Sequence, residues 1–252
     1  MSFEVAAVAY DRFMGRYSSP LAPAFAGFGG VTKGLRVLDV GCGPGALTDE
    51  LVRRVGQTAV AAVDPSSAFI SAVQGRHPKV DVQQSTAERL PFEDDAFDST
   101  LAQLVVHFME DPIVGLQEMA RVTVDHGTVV ACVWDHDSGG GPLSLFWEAA
   151  HGLDSSVRDE SQLAGAHQGH LGELFRDSGL KEVEETLLTV SVEHPSFDDW
   201  WEPYTLGVGP AGKYVQGLDT ARQAQLRERC RELLPTPPFA LTAAAWAARG
   251  LA

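Results

Sequence analysis

From Arg36 onward, short apolar runs alternate with amphipathic stretches along the chain. RVLDV (36–40) precedes a helical pattern over 46–55, and TAVAAVD (58–64) precedes one over 66–76. VDVQQ (80–84) and DSTLAQLVV (98–106) follow, then a helical pattern over 112–122, then GTVVACVWD (127–135). Runs of this length with little internal alternation predict strands buried on both faces, and the period of 3.6 between them predicts the helices that cover those faces. The rhythm is that of an α/β chain wound around a parallel sheet. Pro112 suits the first turn of its helix, and Gly127 sits where the next strand begins after a turn.

The flanks break this rhythm. Residues 3–17 carry aromatic, small and charged positions at helical spacing, and Ser18-Ser19-Pro20 predicts a break, so residues 1–30 read as an N-terminal helical arm. After Asp135 the stretch DHDSGGGP interrupts the strands. Residues 143–179 read as helical, closing on HLGELFRDSGL with Gly179 as its cap. The expected organisation is therefore an arm (1–30), a core (31–135), a cap insertion (136–179), and final strands over 180–252 interrupted by a helical insertion at about 197–235. Those strands are KEVEETLLTVSVE and FALTAAAWAARG.

Composition narrows the function classes. With 252 residues, 44% hydrophobic and 21% charged, the chain has the profile of a globular protein rather than a disordered or membrane one. Its start, MSFEVAAVAY, carries Glu4 and lacks a basic flank, and no run approaches the ~18 apolar residues of a membrane span, so a cytoplasmic protein is expected. A formal net charge of −15 would repel a phosphate backbone, which argues against nucleic acid and for a small-molecule partner. Arg222, Arg227, Arg229 and Arg231 are interleaved with Glu228 and Glu232 and read as a solvated helix face. Cys42, Cys132 and Cys230 have no paired spacing, and His167, His170, His136, His151 and Asp135 match no ligand pattern, so no metal is expected.

The candidate chemistry lies in LDVGCGPGA at the end of the first strand of the core. Gly41, Gly43 and Gly45 carry no Cβ, so backbone rather than side chain can approach a nucleotide-like ligand. By itself the loop also fits the dinucleotide pattern G-x-G-x-x-A. Asp39, two residues before Gly41, stands where a dinucleotide strand keeps an apolar residue, and it can organise the loop and face a cationic amino-acid ligand. Pro44 removes an amide that a pyrophosphate would use. The second strand ends in Asp64-Pro65, 25 positions after Asp39, where an acid meets ribose hydroxyls. The other reading of Asp64 is a cap on the helix that follows.

Taken in order, VLDVGCGPG, AVDPS, STAERLPFEDDAFDSTLAQLVVHFMEDP and EMARV resemble the class I S-adenosylmethionine-dependent methyltransferases (methyltransferase type 11). The resemblance is to the small-molecule branch that includes the ubiquinone and menaquinone biosynthesis enzymes. It implies a Rossmann-like, doubly wound, seven-stranded and mostly parallel sheet with the last strand antiparallel. It further implies that Asp39, Gly41 and Gly43 lie along the methionine part of S-adenosylmethionine, Asp64 with Pro65 at the ribose, and Ala87 and Glu88 along the adenine. Thr86 stands where many relatives have an Asp that accepts from the adenine amino group. Gln103 would line the methyl-transfer channel, and Leu104 would contact the cofactor through its backbone. In the arm, YDRFMGRY is similar to the lid helix of relatives, which makes Tyr10 and Arg16 candidates to cover the cofactor. The alternative is an amphipathic helix that packs on the core.

Methyl transfer needs alignment in a dry pocket more than catalytic side chains. His107 is the candidate general base, and its alternative is a hydrogen-bonded core histidine. Phe146, Trp147, Trp200, Trp201 and Tyr204 would shape an apolar or aromatic acceptor pocket in the cap. Two other function classes remain: a non-catalytic S-adenosylmethionine-binding sensor or scaffold, and an NAD-dependent oxidoreductase. The second is disfavoured because no tyrosine has a lysine four positions on.

Overall fold

The computed structural model describes residues 7–252, so residues 3–6 of the expected arm helix lie outside the described residues. The arm begins with α1 (Ala7–Tyr10), passes through one π-helical stretch (Asp11–Gly15) and continues as α2 (Arg16–Phe28). The core then runs β1 (Val37–Val40), α3 (Ala46–Val55), β2 (Val60–Asp64), α4 (Ser67–Arg76), β3 (Asp81–Gln84), β4 (Phe97–Gln103), α5 (Pro112–Val122) and β5 (Thr123–Trp134). Beyond it lie α6 (Ser144–Leu153), α7 (His170–Asp177), β6 (Lys181–His194), α8 (Phe197–Trp201), α9 (Gly209–Gly217), α10 (Thr220–Leu233) and β7 (Phe239–Leu251).

Among the described residues the strands form one seven-stranded sheet in the order β3-β2-β1-β4-β5-β7-β6. β1 pairs in parallel with β2 and with β4, whereas β7 runs antiparallel to both β5 and β6. The antiparallel strand is thus the last in the chain, inserted between β5 and the edge strand β6. The chain leaves β1 towards β2 and β3 and returns to β4 on the other side of β1. The crevice at the carboxyl ends of β1 and β4 is therefore the topological switch point where open α/β sheets bind ligands. Every residue of β1 and β2 is buried, which accounts for their continuous apolar runs.

The arm departs from the sequence reading. α2 runs through Ser18, Ser19 and Pro20 to Phe28, with Pro20 and Pro23 inside the helix. Each proline removes one backbone donor, but Leu21, Ala22, Phe25 and Ala26 are fully buried against the sheet, and that packing outweighs the local signal. Phe25→Ala is expected to lower stability by about 3–5 kcal/mol, measured by denaturant unfolding.

Two further boundaries differ. β4 ends at Gln103 rather than continuing to residue 106, because Leu104 adopts a left-handed φ of 63° and turns the chain out of the sheet. The helical reading of 143–179 holds only at its two ends. Between them, Asp154 accepts from the amide and hydroxyl of Ser156, and Asp159 does the same for Ser161, local bonds that compete with a helix. α7 packs into the same core as the sheet through Leu171 and Phe175. No helix of the described residues is long and apolar enough to cross a membrane.

Candidate functional site

Three spaces open at the ends of β1 and β4, and Tyr10 and Leu104 line all of them. The largest, about 360 Å³, is bounded by Gly41, Gly43, Asp64, Pro65, Thr86, Ala87, Glu88 and Gln103. A recess of about 30 Å³ continues it past Asp39, Ser18 and Pro44. A second chamber, about 40 Å³, lies beyond Leu104 and is lined by Phe13, Met14, His107, Trp134, His136 and Glu160 among others.

The glycine loop is shaped by backbone geometry. Gly41 has φ +70°, and a Cβ there would lie 2.5 Å and 2.7 Å from the two methyls of Val105. Gly43 has φ +53°, and a Cβ there would meet nothing within 4 Å, because that side faces the open space. The amide of Gly43 donates to Asp64 Oδ2 at 2.9 Å, and that of Ser66 donates to Asp64 Oδ1 at 2.8 Å. Asp64 therefore ties the glycine loop to the start of α4 and also lines the chamber beside the loop. Arg76 holds the far side of the loop by donating to the carbonyl of Pro44 and, at 3.2 Å, to Asp49.

Asp39 is buried and accepts from the hydroxyl of Thr48 at 2.6 Å. Burial, against the Thr48 hydrogen bond and with Asp64 and Asp49 adding to it, pushes its carboxyl up to about 7. Gln103 donates through Nε2 to the carbonyl of Ser18 at 2.9 Å, which ties β4 to the arm. Its Oε1 and the Ser18 hydroxyl are both buried without a partner. The Gln103 amide oxygen, the Ser18 hydroxyl and the Asp39 carboxyl thus belong to residues that line the narrow recess together. Leu104 stays in its strained conformation with its amide donating to Cys132 at 2.9 Å. Glu88 accepts from the Glu110 amide at 2.7 Å, Ala87 is buried, and Thr86 is exposed at the chamber rim.

Of the two arm candidates only Tyr10 reaches the chambers. Its ring packs edge-on to Phe69 at 5.6 Å, and burial, with Asp64 and Asp11 adding, pushes its hydroxyl up to about 12. Arg16 is turned away from them. Its guanidinium forks onto the Asp199 carboxylate at 3.0 Å and 3.3 Å and meets His194 Nδ1 at 3.0 Å, so it latches the arm to the cap. A charged fork already bonded to a carboxylate has no reason to leave it for a second one.

His107 is buried in the second chamber, where burial and then His136 hold its ring well below the ordinary histidine range. It is neutral and able to accept a proton. The cap aromatics stand elsewhere. Phe146 stacks on Tyr204 at 4.5 Å and 8°, and with Trp147, Trp200 and Trp201 they form a buried cluster behind the chamber wall. The wall itself is built by Phe13, Met14, Trp134, Leu143 and Val208. Ser18, Arg76 and Glu160 were not singled out from the sequence. Ser18 was read as a helix breaker and Glu160 as one residue of a longer helix, while Arg76 was only the end of a helix.

Residues 38–131 match the family model described as a methyltransferase domain. Over those residues the chain carries a methyltransferase domain. The methyltransferase is 28% identical over 245 residues to an uncharacterised methyltransferase of Mycobacterium tuberculosis, covering 94% of this chain and 87% of that one. Over a shorter stretch of 103 residues it is 40% identical to a demethylmenaquinone methyltransferase of Mycobacterium sp. strain KMS, covering 41% of this chain and 43% of that one. The fold is shared with the YcgJ protein of Bacillus subtilis, with a TM-score of 0.61 at 20% identity over 92% of this chain and 97% of that one.

Proposed function

We propose that this methyltransferase moves the methyl group of S-adenosylmethionine onto a small apolar or aromatic acceptor held between the arm and the cap. The observation that carries the reading is the sharing of Tyr10 and Leu104 by three neighbouring spaces: a nucleoside-sized chamber, a narrow polar recess and a mostly apolar second chamber. The residues present fit the cofactor. Asp39, Gln103 Oε1 and Ser18 in the recess suit its ammonium group, and the open side of Gly43 leaves room for the chain that joins it to the nucleoside. Asp64 and Pro65 suit the ribose, while Thr86, Ala87 and Glu88 line the part of the chamber suited to the adenine. The bound cofactor supplies an electrophilic methyl on a positively charged sulfur.

Leu104 and Tyr10 border the junction where that methyl would meet the acceptor and keep water away from the line of transfer. The cofactor would supply the methyl from the side of Leu104 and Tyr10, and His107, in the wall of the second chamber, would take the proton displaced from the acceptor. A neutral imidazole in an apolar wall accepts that proton without first losing one.

Transfer of labelled methyl from S-adenosylmethionine across a panel of small apolar and aromatic acceptors tests the reading. His107→Gln is expected to lower kcat by about 10²–10⁴-fold with cofactor affinity unchanged. Calorimetric cofactor binding with no transfer to any acceptor would instead favour a sensor, and absence of cofactor binding would sink both.

A further inference from the structure

The second chamber carries more polar groups than transfer to a purely apolar acceptor requires. Glu160 comes from the irregular segment between α6 and α7, is 5% exposed, and lines the chamber. Its Oε2 accepts from the indole Nε1 of Trp147 at 3.0 Å, so a packed aromatic fixes the carboxyl in place. His107 and His136 line the same chamber with ring centroids 6.0 Å apart. Nδ1 of His107 and Nε2 of His136 are buried without a partner. Such groups in an apolar wall cost free energy until something bonds to them, and no group among the described residues does so here. An acceptor held only by Phe13, Met14, Leu143 and Val208 would leave that cost in place.

We propose that Glu160, together with His107 and His136, anchors a hydroxyl group of the methyl acceptor, which makes the acceptor class an apolar or aromatic molecule bearing a neutral alcohol or phenol. The inference rests on the methyltransferase reading above and names the substrate class of that same site. A hydroxyl both donates and accepts, so it can bond an imidazole nitrogen and the Glu160 carboxyl together. An ammonium group fits poorly. Burial holds both imidazoles neutral, and it also pushes the Glu160 carboxyl up to about 7, so the chamber favours an uncharged occupant. The free space of about 40 Å³ admits the polar end first, and the ring follows by displacing the flexible, partly buried side chain of Met14.

The test uses the full chain saturated with S-adenosylhomocysteine and three probes of similar size, phenol, toluene and benzylamine, titrated by ligand-observed NMR. Phenol is expected to bind at least about tenfold tighter than either of the others, one good hydrogen bond being enough for that ratio. In Glu160→Leu the ratio of phenol to toluene should fall to within about twofold while S-adenosylhomocysteine affinity stays constant. Glu160→Gln, which still accepts from Trp147 and so protects the fold, should weaken phenol by at least about threefold and leave toluene unchanged. Toluene bound as tightly as phenol, benzylamine preferred, no phenol binding by the saturated protein, or a phenol preference that survives both substitutions would each overturn the proposal. Failure to bind S-adenosylhomocysteine would be a different result, since it removes the underlying reading as well.

Discussion

Gly43→Ala is expected to weaken cofactor binding by about 10- to 100-fold while leaving the chain folded and about 1–2 kcal/mol less stable. The new Cβ meets no protein atom within 4 Å, so the folded chain bears only the left-handed backbone cost at φ +53°, about 1–2 kcal/mol. The space it fills is the chamber itself, and overfilling a packed contact costs about 1–3 kcal/mol once a ligand occupies it. Gly41→Ala is the informative partner. Its Cβ would fall 2.5 Å from a Val105 methyl, so both stability and binding should drop, since the loop must move to relieve the contact. Thermal unfolding alongside calorimetric titration with S-adenosylmethionine separates the two. A Gly43→Ala protein that binds as tightly as the wild type would show that the cofactor does not run past Gly43.

The fold was legible because its signals are local and repeated. β1 and β2 are buried throughout and so read as short runs made mostly of apolar residues, and the glycine loop marks the end of β1. Much of the lining of the largest chamber and its recess was legible for the same reason, since Asp39, Gly41, Gly43, Asp64 and Gln103 sit at or just past strand ends. What the sequence hid depends on contacts distant along the chain. Pro20 reads as a break unless the burial of Leu21 and Phe25 is known. Arg16 reads as a free cation until Asp199 is seen to hold it, 183 positions away. Glu160 reads as one more polar helix position, and only the turns made by Asp154 and Asp159 expose the loop that carries it into the chamber. The cap tryptophans resemble a recognition surface in sequence and prove to be mutual packing in the structure.

Cofactor affinity should tighten as pH rises, and Asp39 sets the window. Its carboxyl stands at about 7 in the folded chain against an ordinary 3.8, with burial as the main cause. A raised carboxylate value means the fold disfavours the charged form, so the free protein loses stability as pH climbs from about 4 to about 7. A bound ammonium and sulfonium reverse that preference by placing positive charge beside the carboxylate, and binding below pH 7 must then expel a proton. The dissociation constant for S-adenosylmethionine should therefore fall by up to about tenfold per unit between about pH 5.5 and 7, then level off. Asp39→Asn keeps an acceptor for Thr48 but carries no charge. It should bind with little pH dependence, at roughly the weak affinity of the wild type at low pH, and should unfold at higher temperature than the wild type at pH 8. A slope that persists in the Asn variant would move the linked proton to Asp64, whose carboxyl burial also raises, and a flat wild-type profile would mean that Asp39 organises the loop without meeting the cofactor's charge.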